Sequence, residues 1–242
     1  MKKFNSLIIL LLIIMIIEGP AQNYKPYTLS LGIFETIDAS DIINISNLST
    51  CCPKFMNGEG TSVYGGLYYS IFNVFGEENL SVSFGASIDY YTAIIYYDEN
   101  LAINVDGEPF NGKIRHSIDF ASYSLSPEIN FKYNFNSLFI KYRLAADLYL
   151  KNNYTQKEEI VYPTDRGVFE DTKTRVRNVV RSQTDKLTLP LINSLAFGAD
   201  IAFRSGVVIS PGLNLGYHSS LSKSFDWTYI FYGLSIDIRL LE

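Results

Sequence analysis

About eight stretches of this chain alternate apolar and polar residues with a period of two, and the segments joining them run long, short, long, short. A period of two is a strand period, because successive side chains on a strand point to opposite faces. The stretch from Leu80 to Tyr90 shows it best. Leu80, Val82, Phe84, Ala86, Ile88 and Tyr90 fall on one face, and Ser81, Ser83, Gly85, Ser87 and Asp89 on the other. Leu138 to Leu150, Val207 to His218 and Ile230 to Leu240 alternate in the same way, while Tyr27 to Ile37, Thr61 to Phe75, Ile114 to Tyr133 and Lys186 to Phe203 do so less regularly. The short connections are Gly76 to Asn79, Asn134 to Ser137 and Arg204-Ser205-Gly206. The long ones are Asp38 to Gly60, Asp98 to Lys113, Lys151 to Asp185 and Ser219 to Asp226.

The first residues carry an address rather than a fold. Lys2 and Lys3 precede an unbroken apolar run from Leu7 to Ile17, and Glu18-Gly19-Pro20-Ala21 ends it. A basic start, a short apolar run and small residues at Gly19 and Ala21 mark residues 1–21 as a cleaved export signal. The run falls short of the roughly 20 apolar residues a spanning helix needs, and no later stretch supplies them. The mature domain is then 22–242.

An exported chain that is 47% hydrophobic but has no helical span is either a soluble sandwich or a barrel. The polar face carries small and charged residues. The apolar face is aliphatic at mid-strand, with Tyr133 and Phe203 beside short turns and Tyr90 and Tyr217 beside long loops. That distribution is the one expected of a membrane barrel with aromatic girdles. The expectation is an all-β, eight-stranded antiparallel up-and-down transmembrane β-barrel in the bacterial outer membrane, with termini and short turns periplasmic and long loops outside. Pairing Asn134 with Ser137 places Glu128 opposite Arg143, and pairing Phe203 with Val207 keeps both on the lipid face. Pro127 and Pro211 fit poorly inside paired strands. The strand around Ala121 to Tyr123 changes parity, which a β-bulge would explain together with Pro127.

Parity turns Asp89, Glu128, Asp147, Asp200 and Asp237 inward, together with Lys132, Lys141, Arg143, Arg204 and Arg239. An eight-stranded barrel is just wide enough for its side chains to fill. A balanced interior is therefore expected to be a hydrogen-bonded plug that holds the register, with an ion pathway as the rival reading. Cys51 and Cys52 are adjacent in the first long loop, where a vicinal disulfide or a bond between chains can form. Two thiols without nearby His make no full metal set, so no metal or cofactor is expected. Lys173, Arg175 and Arg177 alternate in the third long loop and could hold lipid phosphates if that segment is a strand, or be a solvated rim if it is not. His116 has no evident partner, and His218 with Ser220 is read as a polar rim rather than a catalytic pair. A net charge of −5 implies no affinity for nucleic acid.

With its strand number, loop asymmetry and closing segment YGLSIDIRL (Tyr232 to Leu240), the chain resembles the small eight-stranded bacterial outer-membrane proteins of the outer membrane protein A and X type. The resemblance implies a monomer in outer-membrane lipid, inserted by the barrel-assembly machinery through that closing segment. It implies a non-enzymatic structural or surface-interaction role, through loops that meet an extracellular ligand; the alternative is a narrow pore for ions or small solutes. Sequencing the N-terminus of the exported protein is expected to give Gln22 as its first residue.

Overall fold

The computed structural model describes residues 24–38, 57–105, 108–163, 167–169, 171–183, 190–219 and 228–241. They form an all-β fold of antiparallel strands: β1 (Tyr24–Asp38), β2 (Asn57–Phe72), β3 (Leu80–Val105), β4 (Glu108–Phe135), β5 (Leu138–Ala146), β6 (Leu148–Tyr162), β7 (Val176–Gln183), β8 (Leu191–Ala199), β9 (Ile201–Ala202), β10 (Val207–Ser219) and β11 (Tyr229–Leu241). None of the described helices is long and apolar enough to cross a membrane.

The sheet can be walked sideways along its paired residues. From Tyr133 on β4 the pairs lead to Ile140, Phe197, Leu213, Leu234, Ile33, Val63 and Tyr90, and then back onto β4 at Tyr123. The walk crosses β5, β8, β10, β11, β1, β2 and β3, and it returns to its starting strand ten residues from where it began. The sheet thus curls round on itself, with an inner and an outer face. β6 and β7 lie beside the upper half of β4, with β6 paired to β4 and β7 to β6.

The described residues hold eleven strand segments where the alternation suggests eight, for two reasons. Two expected strands are interrupted: β5 and β6 at Asp147, and β8 and β9 at Asp200. Two expected loops are largely strand. β3 and β4 stay paired out to Val105 and Glu108, through the segment read as the second long loop, and β7 lies within the third. In these extensions the regular outer apolar face ends, while pairing continues through charged pairs such as Asp98–Arg115, and Leu101, Ile114, Ile160 and Phe169 form a small apolar cluster.

On β4, every even-numbered residue from Ile114 to Lys132 is buried, while Tyr123, Leu125 and Phe131 are exposed. The alternation is therefore unbroken, and the expected parity change at Ala121 to Tyr123 does not occur. The bulge is in the neighbouring strand. Tyr123 pairs with Lys151 and Ser124 with Tyr149, so Leu150 is the extra residue. Both misplaced prolines then find an explanation. Pro127 pairs with Ala86 on one side, and its other side faces the interruption at Asp147, between the Leu125–Leu148 and Glu128–Ala145 pairs. Pro211 pairs with Ile236 on one side and faces the interruption at Asp200 on the other, between the Ile209–Ile201 and Gly212–Gly198 pairs. A residue with no N–H sits where its neighbour has stopped asking for one.

The β4–β5 turn is tighter than expected. Phe135 pairs with Leu138, and Asn136 takes a left-handed φ of 59°. The register is shifted by two residues, so Glu128 lies opposite Ala145 rather than Arg143. The β9–β10 turn matches its expectation, with the Phe203 N–H donating to the Val207 carbonyl at 2.8 Å.

The ring is packed closely enough that some positions admit no side chain. A Cβ on Gly198 would lie 2.1 Å from the Pro211 carbonyl oxygen and 2.4 Å from the Phe139 ring. Backbone at a strand crossing cannot step aside. Gly198→Ala is expected to destabilise the folded protein by about 1–3 kcal/mol, measured as a lower urea midpoint for the loss of heat-modifiable gel mobility.

Candidate functional site: a charged and aromatic interior

The alternation sorts side chains in the reverse of a soluble protein. Leu31, Ile33, Leu67, Leu213, Leu215 and Leu234 are exposed on the outer face, whereas Asp89, Glu128, Lys132, Lys141, Arg143, Asp147, Asp237 and Arg239 are buried inside. Each of these charges is presented by a strand position whose neighbours along the chain point outward, except Asp147, which stands in the break between β5 and β6. Arg204 does not join them. It occupies the β9–β10 turn and is exposed, because the turn ends the parity that pointed it inward.

The interior is layered. Nearest the short turns, Asp200 accepts from Lys132 Nζ at 2.6 Å and from Arg239 Nη2 at 2.8 Å. Asp237 accepts from Lys141 Nζ at 2.7 Å and from Ser30 Oγ at 2.6 Å. Lys132 Nζ also stands 4.0 Å from the centre of the Phe139 ring. In the next layer, Arg143 Nε donates to Glu128, and Tyr68 OH donates to the same carboxylate at 2.5 Å. Arg143 Nη2 donates to Ser87 Oγ at 3.2 Å and lies 3.7 Å from Asp89. Ser87 and Ser126 donate to Asp89 at 2.6 and 2.8 Å, and Ser126 also reaches Asp147. Because Arg143 is long, it spans the two-residue register shift and still meets Glu128 diagonally.

Above the charges lies an aromatic layer. His218 is fully buried, with Nε2 3.2 Å from Tyr149 OH and 3.4 Å from Asp147 Oδ2. Its ring stacks on Tyr229 at 4.2 Å, and Tyr229 stacks on Tyr91 at 4.6 Å. His218 is thus part of the packed interior and not a rim residue. Ile95 and Ile118 fill the space beyond. A cavity of about 710 Å³ is lined by Glu35, Thr36, Glu59, Ala93, Asp119 and Phe120, whereas one among the charges, bounded by Glu128, Lys132, Lys141, Arg143, Asp237 and Arg239, measures about 20 Å³. That is room for about one water molecule.

The upper strands carry a second set of charges. Arg115 donates to Asp98 through Nε at 2.8 Å and Nη2 at 3.2 Å, which holds the Asp98 carboxyl below its ordinary range. His116, expected to lack a partner, lies between two carboxylates: Nε2 is 3.0 Å from Glu99 and Nδ1 3.3 Å from Glu158. Lys173, Arg175 and Arg177 do not form the anticipated stripe. Lys173 and Arg175 precede β7 in a bend, where Arg175 Nη2 donates to the Ile160 carbonyl. Arg177, on β7, is bound by Glu158 at 2.7 Å and Asp171 at 3.1 Å and lies over Phe169. Cys51, Cys52 and Ser220 lie outside the described residues. Among the described residues no group of three or more His, Cys, Asp and Glu side chains could hold a metal ion.

Sequence reasoning placed Ser87 and Tyr149 on the polar face without naming their partners, and it did not single out Tyr68, Ser126 and Tyr229, whose partners lie on strands distant in sequence.

No family model matches the chain, and no curated protein does. Among solved structures, Neisserial surface protein A is similar with a TM-score of 0.44 and 12% identity, over 90% of this chain and 99% of that one. Ail, the attachment invasion locus protein of Yersinia pestis, is similar with a TM-score of 0.34 and 11% identity, over 87% and 97%. The beta domain of the Bordetella autotransporter BrkA gives 0.27 and 11%, over 89% and 99%. The chain is similar to these small bacterial outer-membrane β-barrel proteins along most of its length.

Removing one partner of a buried pair strands the other. Arg143→Met leaves Glu128 and Asp89 without their shared cation and is expected to cost about 3–5 kcal/mol. Adding Glu128→Gln is expected to restore at least half of that. Urea unfolding of the wild type and both variants in micelles measures the difference.

Proposed function

We propose that the ring is an eight-stranded transmembrane barrel of the bacterial outer membrane. It would act without catalysis, as a filled mount for the hairpins above it. An offset of ten residues around eight strands corresponds to a strand tilt of about 40°. At that tilt the outward residues of β1 from Tyr27 to Ile37 cover about 25 Å, the height of the apolar band of outer-membrane barrels. Termini and short turns are then periplasmic, and the extended β3–β4 and β6–β7 hairpins are outside. Outer-membrane lipid is the solvent of the outer face, and the barrel-assembly machinery meets the strands during insertion.

The observation that carries the reading is the closed-off interior. With Arg204 outside, five interior acids face four Lys and Arg cations among the described residues, and each cation is held by a carboxylate. Asp147 faces His218, and the aromatic layer of His218, Tyr229 and Tyr91 lies across the interior. An ion crossing this interior must break pairs that cost several kcal/mol each to separate. The interaction surface is instead the pair of raised hairpins, stiffened by cross-strand ion pairs such as Asp98–Arg115 and Glu158–Arg177. Scaffold-borne loops of this kind are where binding specificity resides.

Residues 22–242, refolded and inserted in a planar bilayer, are expected to give no discrete conductance steps. Steps that vanish on neutralising Glu128 and Arg143 together would establish the pore instead. Replacing residues 99–114 by an Asn-Gly turn is expected to shorten the β3–β4 hairpin without preventing insertion, read by heat-modifiable gel mobility.

A further inference from the structure

We infer that His116 is a proton-operated clasp joining the two raised hairpins. The inference stands on the upper sheet alone and is independent of whether the ring below spans a membrane. His116 is on β4, at the centre of a sheet ordered β3, β4, β6, β7. Its ring is buried and stacks on Tyr97 of β3 at 4.6 Å, nearly parallel. Nε2 lies 3.0 Å from Glu99 of β3, and Nδ1 lies 3.3 Å from Glu158 of β6. Nδ1 is close to that carboxylate but off the line of an N–H bond, and nothing else in the described structure serves it.

The valence of imidazole decides what this arrangement requires. A neutral ring has one N–H and one lone pair, so it can donate to one carboxylate only and turns a lone pair toward the other. An imidazolium has two N–H groups and can serve both. Protonation therefore adds an attraction on one side and removes a repulsion there. Glu158 is held in turn by Arg177 of β7, and Arg177 by Asp171. With His116 charged, signs alternate without a break along Glu99, His116, Glu158, Arg177 and Asp171. With His116 neutral, Glu99 loses its cation, because the nearby Arg115 and Lys113 are engaged by Asp98. Imidazole gains its second N–H by taking up one proton, so acidification closes the clasp and loss of that proton loosens it. Glu99 keeps half of its surface in water, which gives protons access to the ring.

Amide hydrogen exchange in micelles tests this. Peptides covering 97–101, 113–118 and 156–160 are compared at about pH 5.5 and about pH 7.5 after correction for intrinsic rate. Protection in the wild type is expected to be about tenfold greater at the lower pH, the scale of one charge-assisted hydrogen bond. His116→Gln is expected to be equally protected at both. A wild type that is flat with pH overturns the clasp, and so does a His116→Gln protein that follows pH as the wild type does. Should His116→Gln fail to fold, NMR titration of the His116 ring against Glu99→Gln decides. A lower midpoint in that variant supports the clasp, and an unchanged one refutes it.

Discussion

The pairing of β1 with β11 is what the rest of the structure depends on. Tyr24 meets Leu241 and Ile33 meets Leu234, so the first and last described strands are neighbours. A sheet that ends leaves a row of unpaired N–H and C=O groups, and in hydrocarbon each such group costs several kcal/mol. Joining the ends gives β1 a partner on each side. In the proposed barrel it also encloses one face, and enclosure then decides where side chains go. Leu31, Leu67 and Leu213 face out, while Glu128, Arg143 and His218 face in.

Enclosing charge has a cost, and the interior offsets it by pairing. Asp200 binds Lys132 and Arg239, Asp237 binds Lys141, and Glu128 binds Arg143 and Tyr68. Two of the acids sit at interruptions of the backbone ladder. Asp147 N–H donates to the Pro190 carbonyl at 2.9 Å and Asp200 N–H to the Ser137 carbonyl at 2.6 Å, so neither break leaves that donor unpaired. Opposite each break stands a proline, Pro127 or Pro211. Interruption, proline and inward carboxylate form one local device, used twice. Such pairs add little net stability over a well-packed apolar interior. Their value here is register: a strand that slips by one residue turns every interior charge toward the outside.

Period-two alternation made the outer face legible, and with it the inward side of Asp89, Glu128, Lys141, Arg143 and Asp237. It failed where its own signal stops. Above the apolar band, β3 and β4 remain paired to Val105 and Glu108, but charged pairs such as Asp98–Arg115 give way to mixed ones such as Leu101–Gly112 and Asn104–Pro109, so the segment reads as loop. Turn geometry was the second blind spot. A two-residue turn with Asn136 in a left-handed conformation moved the β4–β5 register by two. Arg204 shows the same weakness, since parity ends at a turn. The partners of His116 were illegible for another reason. Glu99 and Glu158 become its neighbours only through lateral pairing of three strands, which no local pattern encodes.

In the proposed barrel the outer face of the ring meets lipid and the inner face is shielded from it. A nitroxide scan along β1, from position 28 to position 34 in lipid vesicles, tests this directly. A period of two is expected. Labels at Leu29, Leu31 and Ile33 should collide with oxygen and not with a water-soluble paramagnetic chelate, while labels at Thr28, Ser30 and Phe34 should be shielded from both. Access to the chelate at Leu29, Leu31 and Ile33 equal to that in free solution, or the absence of any period of two, would contradict it.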